Sequence, residues 1–270
     1  MPSYREQPPA ASLARWVECV WLLQSESAVN GYRVPPDGCL DIVYDRQHGL
    51  RAIGTMTQEQ RFDFPEGVCM AGIRFRPGMA GTFLGVSPAE LTDGSAPLEE
   101  LWDRRAHELK VKVEDARSIQ DAMRILLNNL PMPDPAPNPV QKAIEAIAAA
   151  NGNANLDSVA RQANLSPRQF RRRCLEESGL GPKHLCRVLR FRHACRIARA
   201  VGQLNMGQLN MGQLNMNRLN TGRLNWSAIA LEAEYFDQAH FIRDFRHFKG
   251  LTPMAVFSNT RQQGSSSIEA

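Results

Sequence analysis

The C-terminal half of the chain states one pattern twice. Val159, Ala160 and Ala163 align with Ile229, Ala230 and Ala233 at an offset of 70 residues. After one extra residue in the second copy, Phe170, Cys174, Gly179 and Pro182 align with Phe241, Phe245, Gly250 and Pro253 at 71. Each copy reads as a short helix, a tight turn and a second helix. The small Ala residues let the two helices cross closely. Ser166 with Pro167, and Asp237 in the other copy, are natural starts for the second helix, because a short polar side chain satisfies a free backbone N–H there. Apolar residues at i and i+4, Phe170/Cys174 and Phe241/Phe245, give that helix a single buried face. The expected C-terminal architecture is all-α, with two helix-turn-helix units in tandem.

Residues 129–139 hold five prolines in eleven positions, which excludes a helix or a central strand and predicts a semi-rigid linker. The sign of the charge changes at the same place. Residues 1–137 carry 14 Lys and Arg against 19 Asp and Glu, and residues 138–270 carry 18 against 9. The expected division is an N-terminal sensing or oligomerising domain over 1–128, the linker over 129–139, a helical domain over 140–260 and a disordered tail over 261–270. In the first part, Pro35-Pro36-Asp37-Gly38 is a turn signal before a strand at 39–44, and 70–75 reads as another strand. Segments 78–83, 98–109 and 113–128 read as helices. The N-terminal part is thus α+β, a small sheet or partial barrel with helices. After the linker, Pro139 opens a helix that Gly152 and Asn153 close.

With one face of each second helix buried, Ser166 stands at the start of one, and Arg168, Gln169, Arg171 and Arg172 point outward. In the other copy the outward residues are Gln238, His240, Arg243 and Arg246. Arg can bond guanine bidentately, Gln can read adenine, and all of these groups can hold phosphate. A basic face can also be merely solvated. Two such helices in tandem, within the basic half, favour double-stranded DNA as the partner.

Residues 138–257 resemble the DNA-binding domain of AraC-type transcriptional regulators. The likeness runs through 165–172, Gly179-Leu180-Gly181-Pro182, Arg190 with Ala194, Ile229-Ala230, and most closely 235–253. It implies two helix-turn-helix units joined by a long helix starting near Pro182, each placing a recognition helix in one of two successive major grooves. The acidic half is similar, through Pro36-Asp37-Gly38 and residues 72–78, to an N-terminal domain often fused to this module. The resemblance implies a cytoplasmic transcriptional regulator that is not an enzyme and needs no cofactor, with a small-molecule effector, RNA polymerase and a second copy of the chain as further partners. Two positions depart from the family pattern. Cys174 replaces a large aromatic, which predicts looser packing of the first unit. Glu234 replaces a Gly at the turn, which is costly if that residue must adopt positive φ.

The third departure is a pentapeptide run, GQLNM GQLNM GQLNM NRLNT GRLNW, over 202–226. A five-residue period advances about 500° around a helix and so makes no apolar stripe. On a strand an odd period alternates faces. The run is expected to be a mobile loop or a frayed end of the long helix rather than a solenoid, which needs several coils and caps. If the helices on either side pack normally the insert bulges out; otherwise it uncouples the two units. Its near-identical units, fifteen nucleotides each, are also suited to in-frame slippage.

Other classes fit less well. No apolar run approaches the roughly 20 residues of a membrane helix, and the start lacks a signal-peptide pattern. Six cysteines without a C-x-x-C pair point away from a disulfide framework. His184 with Cys186, and His193 with Cys195, are two apart in a helical pattern and do not share a face. An alkyl-DNA repair domain using a zinc-bound cysteine would need clustered thiolates, whereas Cys19, Cys39 and Cys69 are scattered. A further alternative is a small-molecule-binding protein whose DNA binding the insert impairs. Arg74, Arg76 and Asp37 with Trp16, Trp21 and Tyr32 could line its pocket, although ordinary core packing and ion pairs explain them as simply.

Overall fold

The computed structural model describes residues 2–131, 138–204 and 224–262. Eight strands precede most of the helices: β1 (Ser3–Gln7), β2 (Val17–Gln24), β3 (Val29–Val34), β4 (Leu40–Asp45), β5 (Gly49–Ile53), β6 (Gln60–Phe64), β7 (Cys69–Phe75) and β8 (Ser95–Pro97). Six form an antiparallel sheet in the order β1-β2-β7-β4-β5-β8, and β3 pairs with β6 in a separate two-stranded ribbon. One face of the sheet carries α1 (Gly81–Leu84), α2 (Glu99–Glu114) and α3 (Ile119–Asn128), with Phe75, Met79, Phe83, Leu98, Leu109 and Leu126 in the seam. The other face packs Tyr4, Cys19, Trp21, Leu23 and Val43 against Tyr32 and Phe64 of the ribbon. Because both faces of β2 are covered, Val20 and Leu22 are as apolar as Trp21 and Leu23. Such a strand carries no apolar–polar alternation to announce it.

The expected strands at 39–44 and 70–75 are β4 and β7, each within a residue of its bounds. The helices differ more. The segment expected over 78–83 is the single turn α1. The segments expected over 98–109 and 113–128 divide instead at 115–118: α2 continues to Glu114, and Ser118 caps α3 by accepting from the Asp121 N–H at 3.1 Å. Most of the proline-rich stretch, 132–137, lies outside the described residues.

The remaining helices are α4 (Pro139–Ala149), α5 (Leu156–Gln162), α6 (Pro167–Ser178), α7 (Pro182–Leu204), α8 (Trp226–Glu232), α9 (Gln238–Lys249) and α10 (Pro253–Gln262). Pro139 is the first helical residue of α4, and Asn138 with Gln141 forms a reciprocal capping box before it. Helices α5 and α6 form one helix-turn-helix unit and α8 and α9 the other; both rest on α7. Gly152, in the left-handed region at φ 81°, lets the α4–α5 connection touch α7. A Cβ there would lie 2.1 Å from the Cys186 carbonyl oxygen, and Arg190 donates to the Gly152 carbonyl at 3.1 Å.

Of the pentapeptide run, 205–223 lies outside the described residues, and α7 itself extends into the first unit. The segment 263–270, most of the expected tail, is also outside them. The second unit is nonetheless held to α7 by residues that precede the run. Arg187 donates to Asp244 Oδ1 at 2.8 and 3.1 Å, and Phe191 meets Phe245 and Phe248 at ring distances of 5.2 and 5.1 Å. These contacts seat the second unit on α7 through residues 187 and 191. Deletion of residues 202–221 is expected to leave the midpoint of thermal unfolding within about 2 °C. That shift corresponds to well under 1 kcal/mol for a domain of this size, and a scanning calorimetry comparison of the two chains checks it.

Candidate nucleic-acid interface

The turns of the two helix-turn-helix units are built alike. In the first, Asn164 takes φ 55° and the Leu165 N–H reaches back to the Ala160 carbonyl at 3.0 Å. In the second, Glu234 takes φ 57° and the Tyr235 N–H reaches the Ala230 carbonyl at 2.9 Å. Both are Schellman endings with a left-handed residue after the helix. Asn tolerates that conformation; Glu does so at a cost, because its Cβ crowds the following carbonyl. The second helices then begin at Ser166 and Asp237 and end at left-handed Gly179 and Gly250. Their buried stripes are Phe170, Cys174 and Ser178 in α6, and Phe241, Asp244, Phe245 and Phe248 in α9. Cys174 is fully buried, its Sγ 3.5 Å from the Leu180 carbonyl.

The outward residues divide into those used to build the helix and those left over. Ser166 is exposed, but its hydroxyl accepts from the Gln169 N–H and donates to Gln169 Oε1 at 2.8 Å. Gln169 Oε1 also accepts from the Ser166 N–H at 3.0 Å. A bidentate adenine contact needs that oxygen as well as the amide NH2, so Gln169 has only its donor free in this arrangement. Gln238 is similar: its Oε1 accepts from the Ser227 hydroxyl at 2.7 Å. Arg172 is exposed and pairs with Glu176 at 2.8 Å. Arg168 and Arg171 are exposed, with no ion pair among the described residues. Arg173 is exposed as well, and the sequence reading passed over it.

In α9, Arg243 and Arg246 are exposed, whereas His240 is half-buried rather than outward. Its ring stands edge-on to Tyr235 at 5.1 Å, and its Nε2 is 3.8 Å from Asp244 Oδ2. Asp244 also escaped the sequence reading: at 2% exposure it is the buried anion on which Arg187 closes. The signal for it was a charged residue inside the i, i+4 apolar stripe of α9. What faces solvent on both helices is therefore a row of guanidinium groups, able to bond guanine edges or phosphate oxygens.

The N-terminal part grips the far end of α6. Thr55 Oγ1 donates to the Ser178 carbonyl at 2.8 Å, Thr92 Oγ1 to the Gly179 carbonyl at 2.9 Å, and Ser87 Oγ to the Glu176 carbonyl at 2.8 Å. Three hydroxyls thus satisfy carbonyls that a helix C-terminus leaves without intrahelical partners. On α7, His184 Nε2 lies 3.1 Å from the Thr57 carbonyl, and Arg192 pairs with Glu18. Burial holds the His184 imidazole below its ordinary pKa.

A cavity of about 340 Å³ lies between the β3–β6 ribbon and the main sheet, lined by Trp21, Tyr32, Met56, Phe62, Phe64 and Met70 among others. Gly72 makes room at its floor, since a Cβ there would fall 2.3 Å from the Trp21 ring. Arg74 reaches the same space and is held by Asp41 and Asp37 at 3.3 and 3.2 Å. Burial works against the Arg74 charge, but the two carboxylates more than offset it. Of the residues considered for a pocket, Trp21, Tyr32 and Arg74 line this cavity. Trp16 belongs to the core under the helices, and Arg76 donates to the Ala14 carbonyl. Burial raises the thiols of Cys19 and Cys174 to about 12 and pushes Cys39 well up, away from nucleophilic use. Among the described residues no three His, Cys, Asp or Glu side chains converge as a metal site, and no helix is long and apolar enough to cross a membrane.

Fold and site define a class: an antiparallel-sheet domain with helices, followed by two helix-turn-helix units mounted on one shared helix. Residues 5–97 match a family model described as a domain of unknown function, DUF6597. No curated protein matches. Among solved structures, the chain is similar to a DNA-binding transcriptional dual regulator from Escherichia coli K-12, at 17% identity over 48% of this chain and 99% of that one, with a TM-score of 0.33. It is also similar to ToxT from Vibrio cholerae, at 10% identity over 95% of this chain and 98% of that one, with a TM-score of 0.42. A ToxT structure with bound unsaturated fatty acid matches at 9% identity over 94% of each chain, with a TM-score of 0.42.

The strained turn gives a direct expectation. Replacing Glu234 with Gly relieves the left-handed strain and is expected to raise stability by about 0.5–1 kcal/mol, after allowing for the extra chain entropy of Gly. Denaturant unfolding of the single variant measures it.

Proposed function

We propose that the chain is a sequence-specific DNA-binding transcriptional regulator, with α6 and α9 as its two recognition helices and the N-terminal part as its sensor. The observation that carries this reading is the pair of equivalent, N-capped helices whose solvent faces are arginine-rich and which share α7 as a mount. Arg168, Arg171 and Arg173 on α6, and Arg243 and Arg246 on α9, are the groups offered to DNA. Arg172 joins them when it leaves Glu176, an exposed pair worth no more than about 1 kcal/mol. Ser166, Gln169, Gln238 and His240 shape the ends of the helices and contribute at most a single donor each to a base or phosphate.

The sensing role rests on the cavity and on what adjoins it. Ile53, Met56 and Ser95 line the cavity. Thr55, Thr57 and Thr92, from the same two segments, hold the C-terminal end of α6 and the start of α7. A small apolar, aromatic-compatible effector that moves the cavity wall therefore acts on the backbone that caps the first recognition helix.

Selection of bound sequences from random DNA, at two salt concentrations, tests the reading. A regulator of this build selects two unlike half-sites rather than a palindrome. Arg168→Ala is then expected to relax selection at one base position by about 1–3 kcal/mol if Arg168 reads a base. If it holds a phosphate, it should weaken all sequences alike and lower the salt slope by about one. Wild-type binding by both Arg168→Ala and Arg171→Ala on every sequence rejects α6 as a recognition helix.

A further inference from the structure

The two helix-turn-helix units differ by one residue. Leu165 and Tyr235 occupy equivalent places, each sending its N–H back to the preceding helix, and Ser166 and Asp237 are equivalent caps. In the first unit these two positions are adjacent. In the second they are separated by Phe236, which has no counterpart. Phe236 is 93% exposed, and no other Phe, Tyr or Trp of the chain is exposed. Its neighbours show that this is imposed. Tyr235 is 4% exposed, its ring packed edge-on to Phe241 at 5.3 Å. Asp237 is fixed by its bond to the His240 N–H. Between an inward tyrosine and a bonded cap, Phe236 has no route into the core, and Glu234 carries the left-handed turn that keeps it so.

An exposed aromatic side chain leaves apolar surface in water, which a partner with apolar surface at that place would relieve. Phe236 stands immediately before the N-terminus of α9, the end of a recognition helix that meets base edges in the major groove. There the one apolar group a duplex presents is the C5-methyl of thymine. Arg243 and Arg246, about two and three turns from Phe236 along the same helix, supply the cationic contacts that would bring this face against the groove, and Gln238 keeps a free amide donor beside it. We propose that Phe236 is a specificity-determining residue that reads a thymine methyl at the edge of the second half-site. The proposal rests on the regulator reading above, and it assigns the second unit a base preference that the first unit has no residue to share.

The test replaces each thymine of the selected site, one at a time, by deoxyuridine, which removes only the methyl group. With the full chain, one thymine at the outer or inner edge of the α9 half-site is expected to show a three- to fivefold loss of affinity, the size of one methyl group withdrawn from water. F236A should bind unmodified DNA with a similar loss and be indifferent to deoxyuridine at that thymine. F236L should retain part of the response. An F236A chain that keeps wild-type affinity, or loses affinity yet still responds to the same deoxyuridine, overturns the proposal. Either result also leaves Phe236 as surface for a protein partner. Phe236 is exposed, so F236A should melt with the wild type, and unfolding curves of both verify this. A chain that selects no sequence at all overturns the regulator reading and this proposal together, whereas unchanged binding by F236A on a selected site overturns this proposal alone.

Discussion

Helix α7 carries buried apolar residues on nearly every side, interspersed with arginines, and the rest of the molecule depends on why. Its buried residues, Leu185, Cys186, Val188, Leu189, Phe191, Ala194, Cys195, Ile197, Ala198 and Val201, cannot lie on one stripe of a 3.6-residue helix. A helix of that kind must be enclosed. Three bodies enclose it: the first helix-turn-helix unit with α4, the second unit through Phe191, Phe245 and Phe248, and the N-terminal part. Gly38 of that part comes so near that an added Cβ would meet Leu185 at 3.2 Å. Polar residues on α7 are used as fasteners. Arg187 closes on buried Asp244, Arg190 on the Gly152 carbonyl and Arg192 on Glu18. A buried carboxylate such as Asp244 is stable only while its partner stays in place, so the orientation of α9 on α7 is tied to Arg187.

With α6 and α9 both fastened to one rod, their outward side chains divide into fixed and free groups. Side-chain bonds occupy the Ser166 hydroxyl and the amide oxygens of Gln169 and Gln238, and ring packing half-buries His240. The guanidinium groups of Arg168, Arg171, Arg243 and Arg246 remain exposed among the described residues. The N-terminal part reaches only the C-terminal end of α6, through three hydroxyls, and leaves the arginine-bearing face open. On the proposed reading, DNA and the N-terminal part would meet different regions of the same helix, so that one could influence the other without competing for space.

Much of this was legible in the sequence where local rules dominate. Ser166-Pro167 and Asp237 announced helix starts, Gly152 with Asn153 announced the end of α4, and the paired Phe and Ala positions exposed the duplication. Glu234 takes φ 57°, the condition under which its place in the turn is costly. The N-terminal sheet was read poorly for a physical reason. β2 is covered on both faces, so Val-Glu-Cys-Val-Trp-Leu-Leu-Gln lacks alternation, and the ribbon strands β3 and β6 pair with each other apart from the main sheet. The short break between α2 and α3 rests on a single cap, Ser118. His240, expected outward give or take one residue of phase, is half-buried with its ring edge-on to Tyr235 at 5.1 Å. The pair Arg187–Asp244 joins residues 57 apart, and no spacing rule reaches that far.

A shared rod fixes not only two orientations but one distance. Successive major grooves on one face of a duplex lie about 34 Å apart, and a rigid mount allows only one such spacing. The most direct measurement is affinity for DNA carrying both selected half-sites at their selected spacing, and again with five base pairs inserted between them. Half a helical turn moves the second half-site to the opposite face of the duplex. Rigid mounting on α7 predicts that the insertion reduces affinity to that of a single half-site. Equal affinity at both spacings would contradict it.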